Sequence, residues 1–398
     1  MKKLHFESLC VHDLKNHTTT KPHQLPIFAT SSFDFEHLEQ GESIFKGEKK
    51  GHVYSRYGNP TIDAVADKIA NLEMLGSNQS GFGILTSSGM SAISTLMIGL
   101  LKSGDSILTQ GNLYGGTTEL LLKILQPLGI GVHLVDLNNL DEVEQNLKSH
   151  PEIKMIYFET PSNPTLDCVD IREIVGLAKK YQKITCADNT FATPYLQQPL
   201  LMGVDFVIHS TTKYLNGHGN SISGAIVGKE EENMKKIWTA MKLVGTNCNP
   251  FDAWLTYNGL KTLPLRMDRQ CENANQLALY LSKQPKVTQV NHPSLASHRH
   301  HTIAKKQMKN FGAMLSFELK GGLDAGRKFM NSLKMCSLAP TLGDVDTLIL
   351  HPASMSHINI DKNIRMQNGI TDGLIRVSVG IEAIEDIISD IELGLRLN

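Results

Sequence analysis

The chain has 398 residues, with 39 Lys and Arg against 40 Asp and Glu and a formal net charge of −1. Hydrophobic residues make up 41% and charged residues 20%, the balance of a soluble globular protein with room for two or three domains. That near-neutral balance leaves no global field for nucleic acid or an anionic membrane, and neither is an expected partner.

Residues 1–54 have weak periodicity, with a polar patch at 17–23 followed by Leu25-Pro26-Ile27. They read as an extended arm with short helical pieces, packed on a neighbouring subunit or simply frayed. A helix is predicted from Asn59-Pro60-Thr61, where Asn caps and Pro is tolerated in the first turn. Ile62, Val65, Ile69 and Leu72 then recur at helical spacing. Short apolar runs at 83–86, 106–109, 131–135, 154–158, 184–187, 206–209 and 224–227 are predicted strands. Between them, 90–101, 117–128 and 171–181 are predicted helices. This alternation specifies an α/β unit over 55–259, a mostly parallel sheet covered on both faces.

Helix-rich sequence over 231–259 leads into a smaller α+β unit over 260–398. There Asn273, Leu277 and Leu281 are at helical spacing, and Leu315, Phe317 and Leu319 share one face of a half-buried strand over 313–319. A turn at Lys320-Gly321-Gly322, a helix at 325–333, a strand at 374–379 and an amphipathic helix at 384–395 complete it.

The segment 206–219 carries the densest chemistry. Lys213 follows a buried strand and is flanked by Ser210 and Thr212. Burial lowers an amine pKa, and a neutral amine condenses with an aldehyde. With hydroxyls able to donate to a phosphate, the group fits a pyridoxal 5′-phosphate Schiff base. Taken alone, a lysine at a strand end is more often an ordinary surface residue. Asp188 ends another predicted strand about one strand-helix-strand step before Lys213. At the carboxyl end of a parallel strand it can pair with a protonated pyridine nitrogen; alone, Asp-Asn is more often a turn.

Ser88-Gly89-Met90 lies between a strand and a helix, where small residues let amides approach an anion, and a routine tight turn reads equally well. Tyr114 can lay a ring over a cofactor, with packing as the plainer reading. Tyr54 and Arg56 supply a hydroxyl and a fork donor suited to phosphate, from an arm that can reach a partner's site. A surface salt bridge is the alternative for Arg56. Arg376 sits inside an apolar strand and needs an anionic partner, either a substrate carboxylate or an internal Asp or Glu.

In these ordered motifs the chain resembles, end to end, the pyridoxal-phosphate enzymes of cysteine and methionine metabolism, the trans-sulfuration or cystathionine γ-synthase family. The resemblance implies fold type I with a seven-stranded sheet in the large domain, and a homotetramer built as a dimer of catalytic dimers. It implies pyridoxal 5′-phosphate held covalently by Lys213, with Asp188 on the pyridine nitrogen and Tyr114 stacked on the ring and handling the leaving group's proton. Ser88, Gly89, Met90, Ser210 and Thr212 become phosphate contacts within the subunit, and Tyr54 and Arg56 contacts to the adjacent subunit's phosphate. Glu159 and Asn163 match positions that support the cofactor ring and the substrate end. Asn163, Thr341 and Arg376 are implied substrate contacts, with Arg376 the carboxylate clamp.

The implied reaction is α,γ-elimination from L-methionine or L-cystathionine to 2-oxobutanoate, ammonia and a thiol. The alternative is γ-replacement on O-acetyl- or O-succinyl-L-homoserine by sulfide or cysteine. Typical methionine γ-lyases carry a cysteine where this chain has Gly116, and cystathionine enzymes often carry a glutamate where it has Pro340. Gly343-Asp344 and the 351–357 segment look more like methionine γ-lyases and homoserine-ester sulfhydrylases. Elimination is the leading expectation, by a narrow margin.

The histidines of His298-Arg299-His300-His301 have no carboxylate or cysteine at ligand spacing, so they read as a solvated loop or subunit contact, and no metal is expected. Six cysteines, at 10, 168, 186, 248, 271 and 336, are too sparse for a disulfide scaffold. No apolar stretch follows the basic start in the manner of a signal peptide, and no apolar run reaches membrane-spanning length. A cytoplasmic location is expected.

Overall fold

The computed structural model describes residues 4–12, 22–358 and 362–397; residues 17–21 of the polar patch lie outside them. Seven strands form the large sheet: β1 (Phe82–Thr86), β2 (Ser106–Gln110), β3 (Gly131–Val135), β4 (Ile153–Glu159), β5 (Ile184–Asp188), β6 (Phe206–His209) and β7 (Gly224–Gly228). Their order is β1-β7-β6-β5-β4-β2-β3. Pairings from β2 through β6 are parallel, while β7 runs antiparallel to both β1 and β6.

Every residue of β2, β6 and β7 is buried, as a sheet covered on both faces requires. Neighbouring residues feed opposite cores. Ile107, Met155, Cys186 and Ile208 pack with Ile93 and Leu96, whereas Leu108, Ile156 and Ala187 pack with Ile171 and Ile174. The helix Pro60–Glu73 starts as its sequence dictates, with Asn59 accepting a hydrogen bond from the Thr61 amide at 3.0 Å.

Five further strands make a second sheet: β8 (Val287–Asn291), β9 (Met314–Leu319), β10 (Ser337–Leu338), β11 (Leu348–Leu350) and β12 (Leu374–Ser378), in the order β10-β11-β12-β9-β8. The helix Leu263–Leu281 buries Asn273, Leu277 and Leu281 as their spacing predicts. No described helix is long and apolar enough to cross a membrane.

Three local expectations need correction. The 117–128 helix begins earlier, as Gly115–Glu119, and continues as a π-helix over Leu120–Leu125. The strand at 313–319 is buried on both faces rather than one. Leu315, Phe317 and Leu319 join the C-terminal core, while Met314 joins the large unit's core and the Ser316 hydroxyl donates to the Pro164 carbonyl at 2.8 Å. The 298–301 segment is partly packed rather than fully solvated, with His298 buried and Arg299 exposed. Asp167 is a buried carboxylate that needs donors; it pairs with the Arg299 guanidinium and lies 3.3 Å from His300 Nδ1. The same His300 nitrogen accepts from the Cys168 amide at 3.1 Å, and the His301 ring stacks on Phe311.

Candidate active site

Parallel strands collect functional groups at their carboxyl ends. In β4 and β5 the terminal residues are in register, which sets Glu159 beside Asp188. The loop between β6 and β7 returns Lys213 to the same end, where Thr86 of β1 is paired with Gly224 and Ser88 follows. A cavity of about 300 Å³ opens there. It is lined by Ser88, Gly89, Met90, Tyr114, Glu159, Asn163, Asp188, Ser210, Thr212, Lys213 and Arg376. Thr341 joins them from the side: its hydroxyl accepts from Lys213 Nζ at 2.9 Å and its carbonyl accepts from Arg376 Nη2 at 2.8 Å.

Tyr54 and Arg56 are not among the lining residues. Arg56 donates to the Lys242 carbonyl and lies over the Tyr54 and Tyr57 rings, at 5.5 and 5.0 Å from their centroids. Neither residue reaches the cavity of its own subunit.

The cavity is electrically divided. On one side are two carboxylates. Asp188 accepts from the Thr190 amide at 3.0 Å and from the Tyr157 hydroxyl at 3.4 Å. Burial raises its pKa, opposed by Thr190 and by the charge of His209. Glu159 accepts the Tyr114 amide at 3.0 and 2.9 Å, so it fixes the backbone that carries the Tyr114 ring. Burial, then the charge of Asp188, pushes Glu159 well above the usual carboxylate range. A cation placed against this pair relieves both.

On the other side are two cations. Burial, then the nearby Arg376, lowers the Lys213 amine, the direction a nucleophilic lysine requires. Burial pulls Arg376 down to about 10. Its Nε is buried without a partner, and no ion pair of Arg376 occurs among the described residues. Asn163 Oδ1 is likewise buried and unpaired. A buried guanidinium lacking a carboxylate is an anion site in waiting.

The third pole is the start of the helix Gly89–Leu100. Ser88 caps it in a reciprocal box with Ser91, and the Gly89 and Met90 amides stand at its first two positions, where no intrahelical partner exists. Ser210 and Thr212 face the same space; the Ser210 amide donates to Thr190 Oγ1 at 2.8 Å. These groups fit pyridoxal 5′-phosphate. Its phosphate suits the helix start, its protonated nitrogen the carboxylate pair, its aldehyde Lys213 and its ring the face of Tyr114.

Several supporting residues escape the sequence reading. His209 and Glu73 are fully buried and joined at 2.7 Å through Nε2 and Oε1, and Asn189 also donates to Glu73 at 3.0 Å. Glu73 follows Ile69 by four residues and so falls on the apolar stripe of its helix, which was the available signal. Tyr157 acts on Asp188 from the neighbouring strand and carries no local signature, whereas Thr190 acts from two residues along through its backbone amide.

A family model described as "Cys/Met metabolism PLP-dependent enzyme" matches residues 7–396. The L-methionine gamma-lyase of Fusobacterium nucleatum subsp. polymorphum is 46% identical over 373 residues, covering 93% of each chain. The structure of cystathionine gamma-lyase from Lactobacillus plantarum, complexed with L-serine, superposes with a TM-score of 0.92 at 38% identity, covering 99% of each chain. Cystathionine gamma synthase from Xanthomonas oryzae pv. oryzae, in complex with cystathionine, gives 0.91 at 37% identity over 99% of this chain and 98% of that one. Motif, fold and cavity chemistry therefore agree, and the chain belongs to the Cys/Met metabolism family of PLP-dependent enzymes.

Proposed function

We propose that the protein catalyses α,γ-elimination from a sulfur amino acid, releasing 2-oxobutanoate, ammonia and a thiol, and that it favours L-methionine over L-cystathionine. The observation that carries this reading is the unpaired buried Arg376, tied through Thr341 to Lys213. That spacing suits an α-amino acid whose carboxylate meets the guanidinium while its amine meets the lysine's position. When bound, the cofactor supplies an electron sink for charge left at the substrate's α-carbon. Lys213 would hold the cofactor's aldehyde, and its amine, once free, would take the α-proton and pass it onward. Asp188 would accept from the protonated ring nitrogen. Tyr114, positioned by Glu159, gives a proton to the departing sulfur.

The cavity lining favours an apolar substrate tail. Phe191, Ile222, Pro340 and Leu342 line it, and its lining carboxylates are Glu159 and Asp188, the two assigned to the cofactor. The distal ammonium of cystathionine would then have no lining carboxylate of its own, while a methyl thioether needs none.

A dimer of catalytic dimers is the assembly we assign, with Tyr54 and Arg56 serving the neighbouring subunit's phosphate. All six cysteines are buried and unpaired, which supports a reducing, cytoplasmic setting. The test is product analysis of cofactor-loaded protein given L-methionine, L-cystathionine, O-acetyl-L-homoserine and O-succinyl-L-homoserine, each with and without sulfide or cysteine. Rapid 2-oxobutanoate and methanethiol from methionine alone are expected. Fast homocysteine or cystathionine formation from an activated homoserine, with little turnover of methionine, would assign γ-replacement instead.

A further inference from the structure

We propose that His133, His150 and Glu152 form a site for a divalent transition-metal ion of the zinc class, at the edge of the large sheet and separate from the cofactor cavity. His133 lies on β3, the edge strand. His150 caps the helix Leu140–Ser149, and Glu152 immediately precedes β4. One potential ligand atom from each lies within 4.8 Å of the other two. His150 Nδ1 is 3.0 Å and His133 Nε2 is 3.7 Å from Glu152 Oε1. Tetrahedral ligands held about 2.0–2.2 Å from zinc stand roughly 3.3–3.6 Å apart, so the ion fits with small side-chain adjustments.

The backbone under the site is fixed. The His150 amide donates to Asn146 at 2.9 Å, the Ile153 amide to His150 at 3.1 Å and the Ser106 amide to the Glu152 carbonyl at 2.8 Å. Two imidazoles are pressed together, with ring centroids 4.3 Å apart. The side chains of His133, His150 and Glu152 retain 22%, 41% and 38% exposure, leaving a fourth position open to water.

Two imidazole nitrogens and one carboxylate oxygen select Zn²⁺, Co²⁺ or Ni²⁺ over Mg²⁺ and Ca²⁺, which prefer all-oxygen shells. The ion would pin the edge strand to the helix–strand corner before β4. Its role is structural, since none of the three residues lines the cofactor cavity. The sequence expectation of no metal weighed the 298–301 histidines, and the three ligands proposed here come from a strand and a turn 17 positions apart at the first two histidines, 133 and 150.

Untagged holoenzyme dialysed against low-micromolar zinc should retain one ion per chain. His133→Ala and His150→Ala should each abolish that retention, and Glu152→Gln should weaken it at least tenfold, with elimination activity unchanged. Zinc, but not magnesium, should raise the melting temperature of the wild type alone. Absence of retained zinc in the wild type, or equal retention by the His133→Ala variant, overturns the site. Should an alanine variant fail to fold, cobalt titration of the wild-type holoenzyme decides. Weak visible bands displaced by zinc support two-imidazole ligation, and their absence at saturating cobalt refutes it.

Discussion

Arg376 enters the middle of a five-stranded sheet between Ser316 of β9 and Leu350 of β11, yet it meets no carboxylate among the described residues. An unpaired charge so placed is costly unless a ligand completes it. Removing one member of a buried charge-assisted contact costs about 2–5 kcal/mol. Arg376→Leu should therefore lower kcat/KM for L-methionine by roughly 100-fold or more, mainly through KM. Cofactor absorbance should survive, and an unchanged KM would remove Arg376 from the carboxylate site. Gly116 acts by what it lacks. A Cβ there would lie 2.6 Å from Tyr114 Cε1 and 3.2 Å from Met90 Sδ, so any side chain forces the Tyr114 ring aside. Misplacing a reacting group by about an ångström can cost 100-fold in rate. Both Gly116→Ala and Gly116→Cys should lower kcat on methionine, by similar factors. A cysteine variant more active than wild type would show that the ring relocates harmlessly and that thiol chemistry matters instead.

At the scale of elements, the helix start proposed to hold the phosphate depends on β7 passing close beneath the helix Gly89–Leu100. A Cβ at Gly224 would lie 2.2 Å from the Ser88 carbonyl oxygen and 2.9 Å from the Gly89 nitrogen, both backbone atoms with little freedom to yield. Overpacking of this kind costs about 1–3 kcal/mol. Gly224→Ala should lower the melting temperature and loosen cofactor retention together; retention equal to wild type would separate the helix start from phosphate binding. The strands of the large sheet are legible because each is a short apolar run, and Lys213, Asp188 and Ser88 because each lies at or just beyond the end of one. Strands β8, β10 and β11 carry no such signal, being short or half-exposed and leaning on tertiary partners. β9 looks one-faced in sequence because strand periodicity reports alternation, not what later covers the second face. Asp167 illustrates such a tertiary joint. Burial pushes its carboxyl up, but the contacts with His300 and Arg299 outweigh this and hold it well below the usual range. A carboxyl depressed by folding stabilises the protein above its unfolded value, about 3.9, and that contribution is lost as pH falls toward the folded one. Wild-type stability should thus fall below about pH 4 more steeply than that of Asp167→Asn, as thermal melts across acid pH would reveal. Parallel curves would mean that the joint contributes nothing through charge.

At the scale of the whole molecule, the proposed dimer would complete each cavity with groups from both subunits. Tyr54 is 42% exposed, and Leu243 and Val244, which follow the Lys242 carbonyl that holds Arg56, are 73% and 56% exposed. Ile222 lines the cavity and is itself exposed. Exposed apolar side chains of this kind suit an interface rather than water. If Arg56 serves the neighbouring cavity, each active site combines Lys213 of one subunit with Arg56 of the other. A mixed dimer of Lys213→Ala and Arg56→Ala subunits then concentrates both defects in one cavity and leaves its second cavity intact. Random reassociation makes half the dimers mixed with half their sites whole, so activity should recover to about a quarter of wild type, above the average of the two parents. Recovery must be measured after co-expression or refolding together, because preformed dimers exchange nothing if their interface is tight. A mixture no more active than the average of its parents would place Arg56 in the service of its own chain, and the arm would then be an assembly element with no part in binding the phosphate.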